Sequence, residues 1–190
     1  MQNIVLVCWL IFLAFWAVTA FSAKPKEEMV STDSVGGARG ILIGIIIFLI
    51  LLKRFFDVYL GFLFQNIITL PIIIQDVGIA ILVIGLAAAL SARYSLGKNW
   101  SGRVSFQKGH KLVTTGPYAY IRHPIYLGML LMGAGTLAVT DSTLVAIGAV
   151  LVIISFIQRI KKEEALMAKH FPKEYGKYQK RTKKLIPFVW

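Results

Sequence analysis

The sequence predicts an all-α integral membrane protein of about five transmembrane helices. The last two form a tight helical hairpin, and the loop before that hairpin makes a cytosolic pocket with a C-terminal helical tail. Three observations carry this expectation. The 190 residues are 57% hydrophobic and 16% charged, with a mean hydropathy of +0.70, well beyond the roughly half-apolar composition of soluble domains. Apolar runs suited to the ~30 Å hydrocarbon layer recur between polar segments. Basic residues gather in two blocks instead of spreading along the chain.

The same figures exclude an ordinary soluble globule and a disordered or collagen-like chain, since Pro is only 6 and Gly 16 of 190. The length suits one domain. Lys and Arg number 21 against 9 Asp and Glu, a net charge of +12. In so apolar a chain this excess points to anionic lipid at the membrane surface and not to nucleic acid. Cys8 alone builds neither an internal disulfide nor a CxxC site. The three His, at 110, 123 and 170, lack ligand spacing, so no metal is expected.

The first span is expected over about 1–22, because Met1 to Phe21 holds no charged residue. A cleaved signal peptide is the rival, as Ala20-Phe21-Ser22-Ala23 ends in small residues, but a basic stretch ahead of the apolar core is missing. Lys24 to Arg39 reads as a loop broken by Gly36-Gly37. A second span is expected over 41–64, with Gly36, Gly40 and Gly44 recurring every four residues as a small-residue face for close helix approach. Lys53, Arg54 and Asp57 interrupt it; they either face a partner or watery cavity or snorkel from a tilted helix.

Pro71 opens a third span, over about 71–93, whose Gln75 and Asp76 lie in its first turns and which Arg93 ends. These three spans make an N-terminal region, 1–94. The second region, 95–190, begins with a cytosolic loop over 95–123, punctuated by Gly97, Gly102, Gly109 and Gly116. A hairpin over 124–158 follows, with arms Ile125 to Val139 and Leu144 to Ile157 joined by Thr140-Asp141-Ser142. Gly133-Ala134-Gly135 lies in an apolar helix with no preceding strand, so it reads as helix packing and not as a nucleotide loop. The cytosolic tail, 159–190, is amphipathic and surface-lying.

Orientation follows from charge. Arg93 to Arg122 holds six Lys and Arg, and Arg159 to Lys184 holds ten, against none in the Gln65 to Leu70 connector or the Thr140 turn. Both blocks are expected on the cytosolic side, with the amino terminus outside. The membrane would be the plasma membrane of a prokaryote or the endoplasmic reticulum of a eukaryote.

The hairpin returns the chain to the face it left, bringing Arg122-His123-Pro124 toward Gln158 to Glu164. His123 beside a helix-starting Pro serves either as a cap or in a site. Arg159 and Glu163, four apart, share a helix face and make either an ordinary ion pair or part of a site. Arg ahead of Glu is the less helix-stabilising order. No nucleophile elbow, HExxH, Walker loop or EF-hand is present.

His110-Lys111-Leu112-Val113-Thr114-Thr115-Gly116-Pro117-Tyr118, followed by Arg122-His123-Pro124-Ile125-Tyr126-Leu127-Gly128, resembles the HxLVTxGPYxxxRHPxYxG signature of integral-membrane isoprenylcysteine carboxyl methyltransferases. After the hairpin, Arg159, Glu163-Glu164, Phe171, Tyr175, Tyr178 and Pro187 resemble that family's RxxxEE…F…YxxY…P tail. The likeness covers about Asn99 to Trp190. It implies methylation of the C-terminal α-carboxylate of isoprenylated cysteine, or of a related lipidic carboxylate, with S-adenosylmethionine as cofactor and S-adenosylhomocysteine as product. By the family pattern His110, Lys111, Leu112, Val113, Tyr118, His123, Pro124, Ile125, Tyr126 and Glu163 would hold the cofactor, and Arg159 would engage the substrate carboxylate. Val104 to Gly109 departs from the eukaryotic pattern, and no contact carries over there.

The rival readings are a relative that methylates a phospholipid amine or small thiol, and a non-enzymatic membrane scaffold whose basic tail binds anionic lipid. An amine acceptor predicts acidic or aromatic groups near the methyl instead of Arg159. Oligomeric state is left open by the sequence.

Overall fold

A computed structural model describes residues 1–21, 70–100 and 112–186 of the chain. The expected second span, its Gly36, Gly40 and Gly44, and Lys53, Arg54 and Asp57 lie outside the described residues. Five α-helices are described: α1 (Gln2–Phe21), α2 (Ile72–Leu96), α3 (Pro124–Thr140), α4 (Thr143–His170) and α5 (Pro172–Arg181). Helices α1, α2 and α4 are long and apolar enough to cross a membrane, and α3 is apolar but shorter, at 17 residues. The molecule is thus an all-helical membrane protein.

Helix boundaries follow local chemistry. Pro71 caps α2 from outside with extended backbone, and Gly97 ends it in a left-handed conformation (φ 50°), its N–H donating to the carbonyls of Arg93 and Tyr94. Pro124 occupies the first position of α3, where a missing N–H costs nothing. Asp141 then turns the chain at φ 48°, and α4 begins two residues later.

Among the described residues the closest helix packing is between α2 and α3. Gly78 and Gly85 on one helix meet Gly128 and Gly135 on the other, with Leu82, Ala89 and Met132 fully buried between them. A Cβ added at Gly85 would lie 2.6 Å from the Gly128 carbonyl oxygen, and one at Gly128 would lie 2.7 Å from the backbone of both Gly85 and Ala89. Only residues without side chains let two backbones approach so far. Within Gly133-Ala134-Gly135 the packing role belongs to Gly135, since a Cβ at Gly133 meets open space.

Helix α1 lays Val5, Cys8 and Phe12 against this pair. Trp9 Nε1 donates to Thr136 Oγ1 at 3.0 Å. At the far end of α1, Arg93, 2% exposed, donates to the carbonyls of Thr19 and Gly97 at 2.8 and 3.0 Å, with its guanidinium 4.3 Å from the Trp100 ring centre. One arginine therefore ties the exits of α1 and α2 together, a cation at two helix C-termini.

Two helix ends differ from the sequence reading. Span three continues past Arg93 to Leu96, and the helix of the fifth span does not stop near Gln158 but runs unbroken to His170. The change from apolar to charged residues at Arg159 alters the surroundings of the helix, not its backbone. Residues 159–169 hold no Pro or Gly, and the stop comes from Pro172, which drives Phe171 out of the helical region (φ −120°, ψ 60°). Beyond it α5 buries Tyr175 and Tyr178 and exposes Lys173, Lys177, Lys180 and Arg181, an amphipathic helix.

Candidate active site

The mouth of the hairpin is closed by backbone pairing with the end of the chain. Arg122 and His123 donate their N–H groups to the carbonyls of Lys183 and Lys184 at 2.9 and 3.1 Å, and Lys183 N–H donates to the Tyr120 carbonyl at 3.3 Å. This places α5 and its C-terminal extension directly against the residues that lead into α3. Tyr178 adds a hydroxyl bond to the Tyr118 carbonyl at 2.7 Å. Burial pushes the Tyr178 phenol up to about 12 and the Tyr118 phenol well above its usual range, so both hydroxyls stay protonated at neutral pH.

Two neighbouring carboxylates on α4 then organise the charged side chains differently. Glu163 Oε1 accepts from Arg159 Nε and from the Tyr126 hydroxyl, each at 2.6 Å, and its Oε2 lies 3.7 Å from His123 Nδ1. The Arg159 guanidinium also sits 5.9 Å from the Tyr126 ring centre, and Phe156 packs against Tyr126, ring centres 4.8 Å apart. Glu164 instead accepts from Arg122 Nε at 2.6 Å and from His123 Nε2 at 3.1 Å through one oxygen. Its other oxygen meets Arg122 at 3.4 Å, Gln179 at 3.3 Å and Lys184 at 3.9 Å. Arg122 in turn donates to the carbonyls of Thr182 and Gln179 at 2.6 and 3.3 Å.

His123 stands between the two carboxylates. Its Nε2 faces Glu164, so a proton on that nitrogen fixes the ring and turns Nδ1 toward Glu163. Glu164 thereby acts on the cluster from behind, and the half-buried Arg122–Glu164 pair, with Gln179 on the same carboxylate, ties α4 to the tail.

Of the residues singled out from sequence, His123, Tyr126, Arg159 and Glu163 come together in this cluster. Tyr118 is buried beside it, and Pro124 is buried at the start of α3. Leu112, Val113 and Ile125 are half-buried. His110 and Lys111 lie outside the described residues. The part played by Glu164, Gln179 and Thr182 was missed by sequence reasoning. The doublet Glu163-Glu164 facing Arg122-His123 was the available signal, two acids and two bases at the two ends of one hairpin.

Residues 78–169 match the model of the isoprenylcysteine carboxyl methyltransferase (ICMT) family. Protein-S-isoprenylcysteine O-methyltransferase B of Arabidopsis thaliana is 31% identical over 119 residues, 61% of this chain and 60% of that protein. The nickel-cobalt-cadmium resistance protein NccN of Alcaligenes xylosoxydans xylosoxydans is 34% identical over 110 residues, 57% of this chain and 50% of that protein. The solved structure of a eukaryotic intramembrane Ras methyltransferase, ICMT, superposes with a TM-score of 0.56 at 24% identity, over 84% of this chain and 55% of that one. That last likeness is one of fold. The chain spans about three fifths of the length of the plant relatives it matches. The family match runs from within α2 to the end of α4, and so takes in the glycine seam, His123, Tyr126, Arg159, Glu163 and Glu164. Through residues 78–169 the chain is similar to the isoprenylcysteine carboxyl methyltransferase family.

Proposed function

We propose that this protein is an S-adenosylmethionine-dependent methyltransferase that esterifies the C-terminal α-carboxylate of isoprenylated cysteine, or of a related lipidic acid, on the cytosolic side of a membrane. The observation that carries the reading is the Arg159–Glu163–Tyr126–His123 cluster. It gathers a cation, a carboxylate and aromatic walls at the point where apolar helices emerge into a basic, polar region.

The donor set fits the cofactor. S-adenosylmethionine bears an ammonium, a carboxylate and a sulfonium beside an aromatic base, and it supplies an activated methyl group when bound. Glu163 is the group suited to the ammonium. His110, Lys111, Leu112, Val113, Tyr118, His123, Pro124, Ile125 and Tyr126 would complete the binding surface. Arg159 would hold the acceptor carboxylate, for which a guanidinium offers paired donors. Such an acceptor is already ionised at neutral pH, so its attack needs no general base, and the work left to the protein is orientation and exclusion of water. An acyl or prenyl chain can reach Arg159 sideways from the bilayer while a polar cofactor arrives from the cytosol. The basic tail would rest on anionic lipid.

Calorimetric titration of the detergent-purified protein with S-adenosylhomocysteine tests the reading. Saturable binding is expected for the wild type, weakened at least about tenfold in Glu163→Ala and His123→Ala, as loss of a charge-assisted contact requires. Arg159→Ala is expected to keep that affinity and to lower methylation of a farnesylated cysteine analogue by about 10²-fold or more. A folded wild type that binds no S-adenosylhomocysteine would overturn the assignment. Undiminished turnover of an amine or thiol acceptor by Arg159→Ala would move it to another acceptor class.

A further inference from the structure

The C-terminal end of α5 and the segment after it form an open cleft of about 370 Å³ whose lining includes Arg122, Lys180, Arg181, Thr182, Lys183 and Lys184. Among the described residues no acidic side chain lines it. Glu164 lies behind, engaged with Arg122 and Lys184. Among the described residues no carboxylate pairs with Lys180, Arg181 or Lys183, and Arg181 rests with its guanidinium 5.6 Å from the Tyr178 ring centre. Five cations therefore share one concavity with a single acid behind them. Five like charges are held there by the backbone pairing of 183–184 with 122–123 and by the buried Tyr178 and Thr182.

Arg122, on the wall of the cleft, stands two residues ahead of Pro124 and the apolar α3. Tyr94 and Tyr120, 81% and 73% exposed, carry amphipathic rings of the kind that favour a membrane–water boundary. Ile186, also exposed, follows the basic segment and gives it an apolar edge. A concave cluster of five cations with one acid behind it, at the foot of an apolar helix, matches a phosphodiester better than a soluble anion, because acyl chains then continue into the bilayer without turning.

We propose that this cleft is a site for the phosphate headgroup of an anionic phospholipid, which seats the tail against the membrane next to the methyl-transfer cluster. The proposal rests on the interfacial placement of the tail given under the proposed function, but not on any assignment of cofactor or acceptor. The protein would be purified from nanodiscs of mixed phosphatidylcholine and phosphatidylglycerol, and its retained lipid measured by native mass spectrometry. Preferential retention of phosphatidylglycerol is expected, falling by about fivefold for each cation removed in a Lys180→Gln, Arg181→Gln, Lys183→Gln variant. The matched variant Lys161→Gln, Lys169→Gln, Lys173→Gln, which loses the same charge elsewhere, should keep the preference. So should Lys180→Arg, Lys183→Arg, which guards against a folding defect. Equal losses in the two triple variants, or no preference in the wild type, would overturn the site. Displacement of the lipid by inorganic phosphate alone at equal concentration would also overturn it, by making a free anion the ligand. S-adenosylhomocysteine affinity measured on the same samples separates the two proposals: lipid preference without cofactor binding would remove the enzymatic reading and leave the lipid site standing.

Discussion

The α2–α3 seam and the hairpin mouth solve the same problem, holding two segments together, by opposite means. In the seam, glycines remove side chains until backbones touch, and van der Waals contact supplies the attraction that lipid cannot. At the mouth, the segments are held by charge-assisted hydrogen bonds from Arg122 and His123 to Glu164 and from the Tyr126 hydroxyl to Glu163. The seam is therefore sensitive to volume and indifferent to charge balance, and the mouth the reverse.

Breaking the mouth should have the largest effect. Glu164→Ala leaves Arg122, with a side chain 9% exposed, facing only carbonyls. A loss of about 3–5 kcal/mol in docking of the tail is expected, visible as early proteolysis of residues after Phe171. Next comes volume in the seam. Gly128→Leu should cost about 3 kcal/mol, at the upper end of overpacking penalties, and appear as a lower midpoint in a detergent melt. The same change at Gly133, which faces open space, should stay within about 0.5 kcal/mol; equal effects at the two glycines would dissolve the contrast. The smallest expected effect is at Tyr178→Phe, about 1 kcal/mol for one buried hydrogen bond to the Tyr118 carbonyl. Its sign with pH is set by the raised phenol. The native state resists ionisation up to about 12, while the unfolded chain ionises near 10. This contribution is intact below about pH 10 and is lost as pH rises toward 12. Melting temperatures of the wild type should accordingly fall more steeply than those of Tyr178→Phe over that interval.

Sequence and structure agree best where the physics is local. The membrane-embedded helical class follows from composition, and the Arg159–Glu163 pair follows from a spacing of four on one helix. The hairpin's helices extend past their apolar parts, and how far α4 extends is set by Pro172 and not by the change in side-chain polarity at Arg159. The partition of work between Glu163 and Glu164 was not legible at all. Adjacent carboxylates look alike in a sequence. Only the fold brings Arg122, 42 residues earlier, and the carbonyls of Gln179 and Thr182 to one of them and not to the other.

The continuity of α4 has a mechanical consequence. Its 28 residues make a rod about 42 Å long, apolar over its first half and carrying Arg159, Glu163 and Glu164 on its second. Membrane helices answer a change in bilayer thickness by tilting, and a rod without a joint passes that rotation on undiminished. Glu163 lies about 30 Å along the axis from Thr143, so a tilt of about 5° moves it sideways by roughly 2.6 Å, close to the length of one of its hydrogen bonds. The geometry of the carboxylate cluster is in this sense a gauge of the bilayer around it.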